Sequence, residues 1–160
     1  MNNAVKGFTL VELMVTVVVV AIVAAIALPS LSAFYERSRA DSEISKIREA
    51  LKLARNQAFS YGATVGVCAY GTSDCGTNWN KGLRVYLLKP DNSQETLKLI
   101  EGFHSNDTVK GVSITFTSNG LASEAATYIY CPGGKTDYSR SVELSVTGII
   151  KNAADGKSCT

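Results

Sequence analysis

The sequence predicts an α+β protein in which a long bent N-terminal helix packs on an antiparallel β-rich globular domain. The first half of that helix is membrane-spanning in character and the second half amphipathic. Three observations carry this reading. Residues 8–28 form an apolar run with a single charge, Glu12. Ala40, Ile44, Ile47, Leu51, Ala54 and Ala58 then recur at steps of four, three, four, three and four, which is one face of a helix. After Tyr61-Gly62, short β-prone runs alternate with Gly, Pro, Asn and Asp turn signals.

Composition sets the frame. A chain of 160 residues holds one domain of ordinary size. With 46% hydrophobic and 19% charged residues it is not a disordered chain. The 3 Pro and 13 Gly follow no period of three, which excludes a collagen-like repeat. Sixteen basic residues against 14 acidic ones leave a formal charge of +2, too balanced to coat nucleic acid by bulk charge. The apolar excess sits at the N-terminus, so the expected arrangement is an ordinary soluble domain on a membrane stalk.

Taken in order, the apolar run comes first. As a helix it spans roughly 30 Å, the thickness of a bilayer core. It is rich in Val17, Val18, Val19 and Val20 and in Ala21, Ala24, Ala25 and Ala27. An uncleaved signal anchor and a cleavable secretory signal both fit that composition, and Ala25-Ile26-Ala27 could loosely serve as a cleavage site. Two features oppose both readings. A carboxylate such as Glu12 inside a bilayer costs about 3 kcal/mol and is a functional candidate for that reason. Lys6-Gly7 stands directly before Phe8 with no polar spacer. Lys6 places positive charge on the cytoplasmic side, so the bulk of the chain is expected outside.

Pro29, at the outer edge of the run, is expected to bend the helix, because it removes one backbone hydrogen bond. The helix is expected from about Phe8 to about Phe59, about 75 Å by the helical rise, with its N-terminal half projecting. Opposite the stripe lie Glu36, Arg37, Arg39, Asp41, Glu43, Lys46, Arg48, Glu49, Lys52 and Arg55, the pattern of a solvated face. Strands are expected over 63–70, 83–88, 96–101, 112–117, 127–131 and 142–146, with a short one near Ile149 and Ile150. Breaks are expected over 71–80, 89–92, 104–111, 118–120, 132–139 and 147–148. Pro90-Asp91-Asn92 and Asn119-Gly120 are turn signals. Val112, Ile114 and Phe116 alternate with Ser113, Thr115 and Thr117, and Val142, Leu144 and Val146 with Glu143 and Ser145. That is one-faced antiparallel sheet, packed on the helical stripe.

Sites for chemistry are scarce. The one His, His104, lies in a polar loop with nothing local to make a triad. Gly71 to Gly76 and Pro132-Gly133-Gly134-Lys135 read as turns, since the spacing of a phosphate loop is absent. No catalytic residue, metal or cofactor is expected. Cys68, Cys75, Cys131 and Cys159 form no C-x-x-C, which argues against zinc or thioredoxin-type chemistry. An even number outside the cytoplasm points to disulfides. Three pairings are possible. The favoured one stitches Cys68 to Cys75 across a short loop and Cys131 to Cys159, tying the C-terminal tail to a strand.

Gly7-Phe8-Thr9-Leu10-Val11-Glu12-Leu13 resembles the class III signal of type IV pilins and type II secretion pseudopilins, with Pro29 where many of them bend. The resemblance implies a pilin fold and a dedicated prepilin peptidase that cuts between Gly7 and Phe8 and N-methylates Phe8. Residues 1–7 are then the leader, 8–29 the transmembrane and assembly helix, and 30–160 a periplasmic globular domain. After cleavage the Phe8 amine is positive. A neighbour's Glu12 can meet it in a low-dielectric core, so Glu12 acts as a register device for assembly. Further along, Cys131-Pro132 at a strand end and the last apolar run before Gly148 resemble the minor pilins and pseudopilins of the GspH/FimT/FimU family. That resemblance implies a minor type IV pilin, a structural subunit of a tip or initiation complex that primes assembly. Its partners would be other major and minor pilins, and it would reside in the bacterial inner membrane before joining an extracellular pilus. A type II secretion pseudopilin is an alternative. FimT-like members bind DNA in natural transformation through Gly-Arg-x-Arg, but here Gly148-Ile149-Ile150-Lys151 lacks both Arg. Lys135, Arg140, Lys151 and Lys157 are offset by Asp137 and Asp155, so nucleic acid is not an expected partner.

Overall fold

A computed structural model describes residues 7–28, 30–72 and 74–159. Residues 1–6 of the expected leader 1–7, and the bend expected at Pro29, lie outside the described residues. The chain divides into two compact units, Met1–Tyr35 and Glu36–Thr160.

The first unit is the N-terminal part of helix α1 (Leu10–Tyr61). Its start is fixed locally: the Thr9 side-chain oxygen accepts from the Glu12 N–H at 3.2 Å, capping the first turn. Residues 7–23 are exposed. The helix is long and apolar enough to cross a membrane.

The second unit holds the rest of α1 and two sheets. The stripe from Ala40 to Ala58 is buried, with Ala40, Ile47, Leu51, Ala54 and Ala58 fully inaccessible. The helix stops at Gly62, whose φ of 60° is the left-handed conformation a residue with a Cβ avoids. Gly62 N–H bonds the Phe59 carbonyl and Ala63 N–H the Ala58 carbonyl, the paired bonds of a Schellman cap.

The strands are β1 (Val65–Ala69), β2 (Gly82–Leu88), β3 (Gln94–Glu101), β4 (Thr108–Lys110), β5 (Ile114–Phe116), β6 (Ala126–Cys131), β7 (Arg140–Leu144) and β8 (Ile150–Asn152). They form two antiparallel sheets of order β3-β2-β1-β5 and β4-β6-β7-β8. One core joins both sheets to the helical stripe through Val65, Val67, Leu83, Ile114, Phe116, Tyr128, Tyr130 and Val142. In the first sheet Gly66 faces Tyr86 across the ladder. A Cβ there would sit 2.2 Å from the Tyr86 ring, so only Gly lets the ring cover the strand.

The structure departs from the sequence reading in several places. A strand, β4, occupies part of the segment read as a break at 104–111, held by pairing with β6. The strand expected from Val112 starts at Ile114. Val112 is 43% exposed and its carbonyl accepts from the Tyr128 hydroxyl at 2.9 Å rather than joining a ladder. Val146 lies beyond β7 in the Ser145–Ile149 turn, 52% exposed. Trp79, inside the expected break at 71–80, forms a short 3-10 turn (Trp79–Lys81) and packs edge-on against Tyr128. The charged helix face is not simply solvated. Arg39, Asp41, Arg48 and Arg55 all bond to the β region.

Candidate functional site

Two sets of residues bear on function. The first is the N-terminal signal. Gly7, Phe8 and Glu12 lie within one turn of the start of α1, and all three are exposed, Phe8 by 77%. The Thr9 cap fixes the backbone between Phe8 and Glu12, and the Glu12 carboxylate stands in the first turn, where the helix dipole favours negative charge. Sequence reasoning passed over Thr9. The signal was present: Thr-x-x-Glu ahead of an apolar run is a capping box.

The second set holds the globular unit together. Cys68 is joined to Cys75 and Cys131 to Cys159, with no free thiol among the described cysteines. The first bond closes the loop after β1. The second carries the tail back to the end of β6.

A buried polar centre lies close to that second bond. Asp107, in the loop before β4, has a fully buried carboxylate. Its Oδ1 accepts from Arg39 of α1 at 2.9 Å and from the Gly133 N–H at 2.7 Å, and its Oδ2 accepts from the Tyr130 hydroxyl. Its carbonyl accepts from Asn80 Nδ2 at 2.9 Å, and Asn80 Oδ1 accepts from the Val109 N–H at 2.7 Å. One carboxylate thus ties α1, β6 and the Pro132–Gly134 turn together. Burial, with the Asp107 carboxylate beside it, pushes the Tyr130 phenol far above its ordinary range, and burial does the same for Tyr128. Nothing local marks Asp107 in the sequence, because Asn106-Asp107 reads as a turn.

The remaining candidates are dispersed or neutralised. His104 is exposed, its Nδ1 accepting weakly from the Asn106 N–H at 3.4 Å. Arg140 pairs with Asp41 at 2.5 Å and Asp155 at 3.3 Å. Lys157 and Lys151 both lie against Glu143, at 2.8 and 3.6 Å. The Lys157 hydrogen bond holds the Glu143 carboxyl below its usual range. Lys135 is exposed. The basic residues of this region therefore form no shared cationic patch. Among the described residues, no group of three or more His, Cys, Asp or Glu could hold a metal ion.

An apolar helix behind a Gly-Phe-x-x-x-Glu start, leading into a two-sheet domain, defines a type IV pilin-like subunit. The sequence matches the family described as Type II transport protein GspH over residues 43–148, and the prokaryotic N-terminal methylation motif over residues 2–28. The chain belongs to the GspH family. No curated protein matches it. Among solved structures it is similar to the type IV minor pilin FimU of Pseudomonas aeruginosa. The two are 28% identical, the match covers 79% of this chain and 99% of that one, and the TM-score is 0.64. It is also similar in fold to the minor pseudopilin EpsH from the Type 2 Secretion System of Vibrio cholerae. Identity there is 14%, coverage 72% and 97%, and the TM-score 0.59.

Proposed function

We propose that the chain is a minor type IV pilin, a non-enzymatic structural subunit of a tip or initiation complex that primes pilus assembly. The observation that carries this reading is the likeness to FimU over nearly all of that chain, at twice the identity of the pseudopilin match. A prepilin peptidase cuts between Gly7 and Phe8 and methylates Phe8. The apolar helix holds the protein in the inner membrane with its domain in the periplasm, until it joins other pilins in an extracellular filament. In the assembled helical core the Phe8 amine of one subunit meets Glu12 of another, which relieves the cost of a carboxylate in an apolar setting. The ion pairs of Arg140, Lys151 and Lys157 leave little free cationic surface for phosphates, which speaks against DNA uptake.

A pseudopilin role is the second reading, favoured by the family description and the EpsH fold. Deleting the gene and restoring it separates the two. Loss of surface pili with secretion intact, and the protein present at low copy in sheared pili, is the expected result. Normal piliation with blocked secretion would replace the pilus reading by the secretion one.

A further inference from the structure

The charge-free stretch of α1 outruns the apolar run that opens it. Between Glu12 and Glu36 the chain carries no charged residue. At the helical rise, Glu12 and Tyr35 stand about 35 Å apart along α1. A bilayer core is about 30 Å thick, and about 40–45 Å with its headgroup layers. Residues 8–28 would fill that core, but Glu12 would then lie one turn inside it. A core over residues 14–33 has the same length, and it places Glu12 at one interface and Phe34 and Tyr35 at the other. A tilt of about 20° shortens the span by only about 2 Å.

The side chains choose between these two registers. Leu31, Phe34 and Tyr35 are each at least 64% exposed. With Leu28 and Ser32 they line a shallow apolar groove of about 520 Å³ on α1. Aromatic rings with a polar tip belong at the headgroup level, and Tyr35 is the first such residue after the apolar run. In the first register Tyr35 would stand in water, about 10 Å beyond a core edge at Leu28. The second register covers the aromatic pair and takes Glu12 out of the hydrocarbon, where a carboxylate is costly.

We infer that Leu31, Phe34 and Tyr35 are an interfacial anchor. They dock in the headgroup and glycerol layer of the phospholipid leaflet through which α1 leaves the membrane, and so set the depth of the helix before assembly, with Glu12 held at the opposite interface. The occupant follows from continuity: the exposed groove prolongs the membrane-spanning run without a charge between them. This inference rests on the membrane reading above.

The test is depth-dependent quenching of tryptophan fluorescence in the full-length protein, reconstituted into vesicles of phosphatidylethanolamine and phosphatidylglycerol. The lipid carries bromine near either the carbonyl end or the methyl end of its acyl chains. Wild type contains 1 Trp, Trp79, buried in the globular unit, which supplies the background. Val23→Trp marks the expected midplane and should be quenched better by the deep bromines, by about twofold or more. Phe34→Trp and Met14→Trp should show the reverse preference, by about the same factor. Phe34→Ser/Tyr35→Ser should let α1 slide, so that Met14→Trp loses its preference for the shallow bromines, whereas Phe34→Tyr should keep it. Deep quenching at Val23→Trp, with none at Phe34→Trp or with deep quenching there too, would overturn the anchor and leave the membrane reading standing. A Met14→Trp depth indifferent to Phe34→Ser/Tyr35→Ser would do the same. No quenching at Val23→Trp by either lipid would remove both.

Discussion

Replacing Asp107 tests whether the buried centre governs the stability of the globular unit. In Asp107→Ala three donors lose their acceptor together: Arg39, the Gly133 N–H and the Tyr130 hydroxyl. Breaking a buried ion pair from one side costs about 3–5 kcal/mol. Arg39 retains 19% exposure, so water recovers part of its solvation and the lower end, about 3 kcal/mol, applies. Asp107→Asn keeps the shape, with its amide oxygen toward Arg39 and the Gly133 N–H and its NH2 toward the Tyr130 hydroxyl, which must then accept, but it loses the charge that Arg39 pairs with. About 2 kcal/mol is expected there, since hydrogen bonds to charged groups contribute about 1.5–3 kcal/mol each. For a unit of this size about 4 °C per kcal/mol gives melting-point drops of roughly 12 °C for Ala and 8 °C for Asn. The assay is thermal unfolding of the domain from Ser30 onward, followed by circular dichroism. Arg39→Met and the Arg39→Met/Asp107→Ala double variant complete a cycle. If the pair is coupled, the double variant loses less than the two singles added together. An Asp107→Ala protein within about 1 kcal/mol of wild type would refute the reasoning.

Mass spectrometry of the mature protein should give an N-terminus at N-methylated Phe8; an N-terminus at Met1 or after Ala27 would contradict the processing. Glu12→Leu should insert into the membrane and be cut normally, yet enter filaments poorly, as measured in sheared pili, because the neighbour's amine loses its carboxylate. Wild-type incorporation would count against that role. Loop closure over a separation of 28 residues makes Cys131–Cys159 worth about 3.5 kcal/mol, against about 2.5 kcal/mol for the 7-residue separation of Cys68–Cys75. Denaturant melts of Cys159→Ser and Cys75→Ser should therefore rank in that order. The phenols of Tyr128 and Tyr130 titrate above their unfolded value, so above pH about 10 the unfolded chain releases protons that the native state retains. The contribution of these two phenols should be level below that pH, and stability should fall above it, with a shallower fall in Tyr130→Phe. Both phenols ionising near pH 10 in a folded domain would exclude this.

Local patterns in the sequence were a good guide wherever the structure is local. The stripe from Ala40 to Ala58 names its own buried face because helical spacing is a property of neighbours. Tyr61-Gly62 marks the end of α1 for the same reason, since a left-handed residue must follow the last turn. β4 was hidden because Thr108, Val109 and Lys110 offer one apolar residue between turn-like neighbours; the strand exists through β6, some twenty residues on. Val112 and Val146 continued an alternation that the ladders do not use, because strand length is set by pairing partners. Asp107 was hidden most deeply. Its acceptors are spent on Arg39, Tyr130 and Gly133, none adjacent in sequence. A clue lay at Tyr130, an aromatic in a core strand whose hydroxyl requires a partner.

The side-chain ties along α1 have a mechanical consequence. Between Glu36 and Tyr61 the helix is fastened to the β region at Arg39–Asp107, Asp41–Arg140, Arg48–Asn152 and Arg55–Gly120. Tension applied along the helix axis loads these fastenings as shear, and they share it in parallel. A peeling force would meet them one after another, each bearing the whole load in turn. The domain is therefore built to withstand a pull along α1 better than a pull across it.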